Sequence, residues 1–158
     1  APPQLDEFLL PELRPRNRGL FEGDFGSGTP VEDVGVETLI KWADVDPARR
    51  YPLLGKSIPM FKRPQGDEEN DVSPLFLEIL GHAPDQRAFL GDIWSRLHPR
   101  SWSGSLADIL VRRRVAITKL GDNVGGDVRQ WVVEMLPELD RWIEHESKRD
   151  REGEQSFE

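Results

Sequence analysis

The chain has 158 residues and a mass of 18.1 kDa, which suits one domain or a few repeated units and leaves little room for a two-domain enzyme with a large cofactor fold. It is 37% hydrophobic and 32% charged, a balance that favours surface-rich helices over a compact β-barrel. The net charge of −8 disfavours generic duplex DNA binding except through local basic patches, and the lack of cysteine excludes disulfides, thiolate metal sites and cysteine nucleophiles.

No apolar run approaches the roughly eighteen residues of a membrane span, and no signal peptide opens the chain. The expected location is the cytoplasm, with no membrane partner. Ala1 stands where an initiating Met would, as expected of a piece processed or excised from a longer protein.

Residues 1–33 are punctuated by proline and glycine, from Pro2 and Pro3 to Gly28 and Pro30, and leave room only for a short helix over Leu5 to Leu13. The glycines from Glu22 to Thr29 invite a phosphate-cradle reading. No Gly-Lys-Ser/Thr follows them, so a P-loop lacks its lysine and a plain loop is expected.

From Val31 the pattern turns helical. Val34, Leu39, Ile40 and Trp42 form a first apolar face. Asp46 then predicts a cap, with Pro47 at the first helical position and Tyr51, Leu54, Ile58 and Phe61 at helical spacing. Pro52 and Pro59 are expected to bend or interrupt this segment. After a polar, acidic loop over Gln65 to Asp71, Ser73 predicts a cap and Pro74 a first turn. That helix has a face of Leu75, Phe76, Leu77, Ile79 and Leu80 and an expected end at Gly81.

Asp85 opens another helix carrying Phe89, Leu90, Ile93, Trp94 and Leu97, stopped at His98-Pro99. Ser101 to Ser105 reads as a loop and cap. A longer helix then bears Leu106, Ile109, Leu110, Val115, Ile117 and Leu120. The last helix begins near Asp127 and runs through Trp131, Leu139 and Trp142, with a kink expected at Pro137. Beyond Glu144 the chain is almost purely charged and is expected to fray into solvent. No window alternates apolar and polar residues between hairpin turns, so the expected class is all-α.

Taken in pairs, the helices repeat. The second helix of each pair is introduced by an acidic residue followed closely by arginine, at Asp46 and Arg49, Asp85 and Arg87, and Asp127 and Arg129. The arginines are 38 and then 42 residues apart, and a period near forty with two helices per unit is the signature of HEAT-type solenoids. One helix pair cannot bury its apolar stripe alone, so neighbouring pairs stack and share a core.

On these residues the chain resembles HEAT-like α-solenoid segments, most closely at Asp127-Val128-Arg129-Gln130-Trp131. It also resembles the C-terminal regions of large multidomain bacterial proteins that carry a Ser-Trp-Ser-Gly-Ser loop, here Ser101 to Ser105, a helical repeat, and a charged tail ending in Phe-Glu, here Phe157-Glu158. Several such parents resemble nucleotide-dependent or anti-phage defence proteins, in which the repeat region acts as sensor or scaffold. The resemblance spans Val36 to Glu158 and departs from the pattern at Pro52, Pro59 and Pro137. It implies antiparallel helix pairs stacked as a short right-handed solenoid over residues 34–146, about three pairs, followed by a charged tail over 147–158.

Charge is segmented along the chain. Residues 48–64 hold Arg49, Arg50, Lys56, Lys62 and Arg63 with no acid. Residues 93–120 hold Arg96, Arg100, Arg112, Arg113, Arg114 and Lys119 against Asp108 alone, while the remaining stretches are acidic in balance. The basic blocks either pair with acidic blocks of adjacent repeats or line an edge for an anion or an acidic partner. Three successive arginines on a helix cannot all face its core, so at least one of Arg112, Arg113 and Arg114 is expected to meet a partner. Four of the five tryptophans lie on apolar faces, whereas Trp102 sits in a Ser/Gly loop beside Arg100, where inward packing over the helix ends is slightly favoured over the alternative of an exposed anchor for a partner.

The candidate partner-binding residues are therefore Arg96, Arg100, Trp102, Arg112, Arg113 and Arg114. His82, His98 and His145 lack metal-ligand spacing, and His82 and His98 are explained by helix C-termini. Ser101, Ser103 and Ser105 have no His/Asp pairing, and Asp67-Glu68-Glu69 with Asp71 lacks the pattern of a calcium loop. No catalytic constellation and no cofactor are expected. The favoured function is a non-enzymatic scaffold binding a protein or another domain of its own parent. A nucleic-acid contact module and a small enzyme with a site beside the Gly-rich segment are the alternatives.

Overall fold

A computed structural model describes residues 5–6, 10, 34–62, 70–91, 97–99 and 102–155. The Gly-rich loop from Glu22 to Thr29, the acidic turn at Asp67 to Glu69, and Ile93, Trp94 and the tail end Phe157-Glu158 lie outside the described residues. Among those described, the chain is all-α, with six helices and one isolated antiparallel bridge between Phe61 and Val72. None of these helices is long and apolar enough to cross a membrane. The chain divides into two compact units, residues 1–59 with 73–91, and residues 60–72 with 92–158.

The helices described in the first unit are α1 (Val36–Ala43), α2 (Pro47–Ser57), α3 (Pro74–His82) and α4 (Gln86–Leu90). α2 and α3 both open on a proline, and neither Asp46 nor Ser73 makes the side-chain cap that the sequence predicts. Proline at the first position removes one orphan N–H and presets φ, so the helix starts without that bond. α4 has no such proline, and there the Asp85 carboxylate accepts from the Ala88 N–H at 2.9 Å. α3 extends one residue past Gly81, and α4 stops at Gly91, whose φ of 53° suits glycine.

Pro52 lies inside α2 without ending it. The carbonyl it deprives of a partner belongs to Ala48, an exposed residue, so the lost bond can be made up by solvent. Before Pro59, Ile58 turns extended, the conformation that a following proline favours, and the helix ends there.

Leu39 and Trp42 from α1, Tyr51 and Leu54 from α2, Phe76, Ile79 and Leu80 from α3, and Phe89 and Leu90 from α4 are buried. Each such side chain contributes about 1.5–3 kcal/mol of burial. α1 packs on α2 and on α3, α2 packs on α4, and α3 packs on α4. First helices thus lie on first helices and second on second. α2 and α4 approach so closely at Gly55 that a Cβ there would run into the Phe89 carbonyl.

Trp42 anchors a more distant segment. Its indole N–H donates to the Asp6 carboxylate at 2.6 Å, and Arg50 lies 3.4 Å from the same carboxylate. Arg50 also donates to the Trp42 carbonyl at 2.9 Å while its guanidinium sits 4.7 Å from the indole centre.

The second unit is built on α5 (Leu106–Val124) and α6 (Gly126–Gln155), joined through Gly125 and Gly126 at φ of 71° and 50°. Three ties run in opposite order along the pair and make it antiparallel: Ser105 with Asp150, Arg114 with Asp140, and Gly121 against Val132. Leu106, Leu110, Ile117 and Leu120 are buried from α5, and Val128, Trp131, Val132 and Leu139 from α6. Ser105 caps α5 as the sequence predicts, accepting from the Asp108 N–H at 3.2 Å.

α6 runs through Pro137, whose bereft carbonyl belongs to the exposed Val133. It also continues helical where fraying is expected. Arg149 pairs with Glu146 at 3.2 Å, Lys148 with Glu152 at 3.8 Å, and Ser105 donates to Asp150 at 2.6 Å. Side-chain pairs at helical spacing each add a few tenths of a kcal/mol, roughly 0.2–0.5, and the Ser105 bond ties the segment to α5.

Gly55→Ala should lower stability by about 2 kcal/mol in denaturant melts, because it overpacks the α2–α4 approach. Gly81→Ala, in open space on α3, should instead raise it by up to about 1 kcal/mol. Equal effects would refute the close approach.

Tyr51, the chain's one tyrosine, offers a second check. Its hydroxyl donates to Asp44 at 2.9 Å, and burial first, then the bond to Asp44 and its negative charge, push the phenol up to about 12 from 10.0. The protonated phenol therefore stabilises the fold fully below pH 10.0, and this contribution is lost as pH rises towards about 12. Near-ultraviolet titration should give a midpoint near 12 when folded and near 10.0 in urea. A folded midpoint near 10.0 would contradict the buried placement.

Candidate partner interface

The arginine run on α5 puts three consecutive side chains on different faces, because successive helical residues are turned by about 100°. Arg113 turns into its own unit. It donates to the Leu97 carbonyl at 2.6 Å and to the Asn70 side chain at 3.3 Å, and lies 4.5 Å from the centre of the Phe61 ring. Asn70 is itself buried. Arg113 thus fastens two stretches of chain, around Phe61–Asn70 and at Leu97, to α5.

Arg114 turns toward α6 and grips both oxygens of Asp140, at 2.5 and 3.1 Å. The hydrogen bond from Arg114 holds the Asp140 carboxyl below its usual range, and the same bond raises the guanidinium above its own. Both partners are substantially exposed, so solvent screening limits the pair to less than about 1 kcal/mol.

Arg112 alone of the three faces solvent, and makes no hydrogen bond or ion pair among the described residues. Arg96 and Arg100 lie outside the described residues. The run expected to offer at least one cation to a partner thus leaves Arg112 available, with Arg113 and Arg114 engaged inside the unit.

Trp102 is 46% exposed, immediately before the cap of α5. It does not fold inward over a helix end. Its ring centre lies 5.0 Å from that of His98, edge to face, and His98 lies 5.6 Å from Trp142 of α6 in a near-parallel stack. The His98 Nδ1–H donates to the Pro99 carbonyl at 2.9 Å, which holds the imidazole between the two indoles. Each aromatic pairing is worth about 0.5–1.5 kcal/mol beyond its buried area, so the exposed indole is held rather than loose.

Sequence reasoning singled out Trp102 by its Ser/Gly loop but explained His98 by a helix C-terminus and Trp142 by the core. Nothing in their spacing joins residues 98, 102 and 142; only the fold of α6 back along α5 does. Val115, placed by spacing on the apolar face of this helix, is instead 48% exposed, beside the unflagged Val111 at 45%, on the same helix as Arg112.

No cluster of three or more His, Cys, Asp or Glu able to hold a metal ion occurs among the described residues. Buried Glu146 is paired with Arg149, and Asp150 takes the Ser105 hydroxyl. Comparison with protein-family models, curated proteins and solved structures yields no match.

The division of labour among the arginines is measurable. Arg113→Ala strips a donor from the Leu97 carbonyl and from buried Asn70, and should cost about 2–3 kcal/mol in urea unfolding. Arg112→Ala should stay within about 0.5 kcal/mol of the parent chain. Similar losses at both positions would overturn the assignment.

Proposed function

We propose that the chain is a non-enzymatic interaction scaffold, a HEAT-like right-handed helical-repeat module of a larger bacterial protein. It works in the cytoplasm and binds a protein or another domain of its own parent. The observation that carries this reading is the half-exposed Trp102 indole, braced by His98 and Trp142. A large apolar ring held rigid in solvent loses little entropy on docking and suits the anchor of a protein interface.

Two further observations support it. In the first unit, α1 lies on α3 and α2 on α4, the layering that two consecutive stacked helix pairs would have. Arg112, with no hydrogen bond or ion pair among the described residues, supplies a cation on the helix that follows Trp102. The partner-facing residues in this reading are Trp102 and Arg112, with Arg96 and Arg100 as flanking charges. Arg113 and Arg114 hold the unit together.

A nucleic-acid contact is the second reading, because an exposed tryptophan near arginines also suits base stacking. The test is affinity capture from lysate with and without nuclease, comparing the parent chain with Trp102→Ser. A defined protein retained after nuclease treatment and lost at least tenfold in the variant is the expected result. Recovery that depends on intact nucleic acid and falls steeply with salt would replace this reading by the second. Equal capture by both chains would remove Trp102 as the anchor.

A further inference from the structure

The outward face of α5 carries an ordered set of groups. In chain order they are Asp108, Val111, Arg112, Val115, Lys119 and Asp122, all exposed and turned away from buried Leu110, Ile117, Leu120 and Gly121. Val111 and Val115 are one turn apart and nearly half exposed. Arg112 and Lys119 are two turns apart, about 10.5 Å along the axis. Neither cation makes a hydrogen bond or ion pair among the described residues, although acidic side chains abound in the chain. The other basic residues of the helix are committed: Arg113 to Leu97 and Asn70, and Arg114 to Asp140. Asp122 at the far end lies 3.9 Å from Arg129.

We infer that this face docks an acidic amphipathic helix of a protein partner. Two aliphatic side chains would cover Val111 and Val115, with carboxylates two turns apart answering Arg112 and Lys119. This inference rests on the scaffold reading and names the chemistry of the partner.

Charge order selects the occupant. The cations occupy the middle of the stripe and carboxylates bracket it, so the matching surface has anions centrally and neutral or basic groups at its ends. A phosphate backbone laid along the stripe would meet Asp108 and Asp122 at either end. A second copy packed about the middle would set its own Arg112 and Lys119 against the same cations, and like-charge juxtaposition opposes that pairing. The apolar contact is small, so a modest affinity and strong salt dependence follow.

The experiment uses the full chain and a capped, Ala-based helical peptide. The peptide carries glutamates two turns apart, with one leucine between them and a second leucine one turn away beyond one glutamate; a twin has lysine in place of glutamate. Titration is followed by amide chemical shifts, with circular dichroism of each variant as the folding check. The Glu peptide is expected to shift amides of α5 between Asp108 and Asp122, and the Lys twin is not.

Arg112→Glu with Lys119→Glu should weaken the Glu peptide at least tenfold and admit the Lys twin. Val111→Ser with Val115→Ser should weaken the Glu peptide by about tenfold while leaving the helical spectrum unchanged. The exposed positions keep these variants folded, and Arg112→Gln provides a milder charge change if the reversal does not fold. Equal binding of both peptides, shifts elsewhere, no shift at about 1 mM peptide, tighter binding of a single-stranded oligonucleotide, or self-association through this face would each overturn the inference. If the peptide fails while Trp102-dependent capture persists, the scaffold reading stands and this partner chemistry falls.

Discussion

A guanidinium drawn out of bulk water must find acceptors for its fixed fork of donors, and each compact unit is organised around one arginine under that constraint. In the first unit Arg50 lies over Trp42, donates to the Trp42 carbonyl and pairs with Asp6. In the second, Arg113 lies over Phe61 and donates to the Leu97 carbonyl and to Asn70. In both, an aromatic face covers the apolar plane of the cation while its edge reaches main-chain oxygen. In both, one acceptor comes from a segment far away in sequence, Asp6 for Arg50 and Asn70 for Arg113. These two side chains thus fasten distant segments onto helices that propensity alone would leave as isolated stripes.

That internal use of arginine is what makes the exposed cations informative. A basic run reads as a single block in sequence, but the helix distributes it: Arg113 inward, Arg114 across to Asp140, Arg112 to solvent. Lys119 joins Arg112 because seven residues make two turns, and Val111 and Val115 lie between turns on the same side. The cations left in solvent are thus the part of the basic block that remains after folding has taken its share. Trp102 follows the same logic, since Trp42 and Trp131 are buried while this one is braced by His98 and Trp142 and keeps nearly half its surface in water.

The prolines show where local rules fail and why. Pro52 and Pro137 each sit inside a helix, and in both cases the carbonyl left without its N–H belongs to an exposed residue, Ala48 or Val133. Solvent can make up the lost bond and the neighbouring packing keeps the helix going. The charged stretch beyond Glu144 behaves comparably. Composition alone points to fraying, but pairs such as Lys148–Glu152 and the bond from Ser105 to Asp150 hold it in α6. In each case a contact or an exposure absent from the local window decided the outcome.

What the amino-acid order determined by itself is the all-α class, the helix starts at Pro47, Pro74, Asp85 and Ser105, and most of the apolar faces. These follow from spacing and cap chemistry within a few residues. It also singled out Trp102, because a tryptophan between two serines of a Ser/Gly loop has no periodic face to join. Only the tertiary structure decided that α1 lies on α3 and α2 on α4, which arginine of the run faces solvent, and that His98 joins Trp102 to Trp142. The physical reason is common to all three. A side chain's exposure and its hydrogen-bond partner depend on groups tens of residues away, such as Asn70 for Arg113 or Asp140 for Arg114, and helical periodicity carries no information about them.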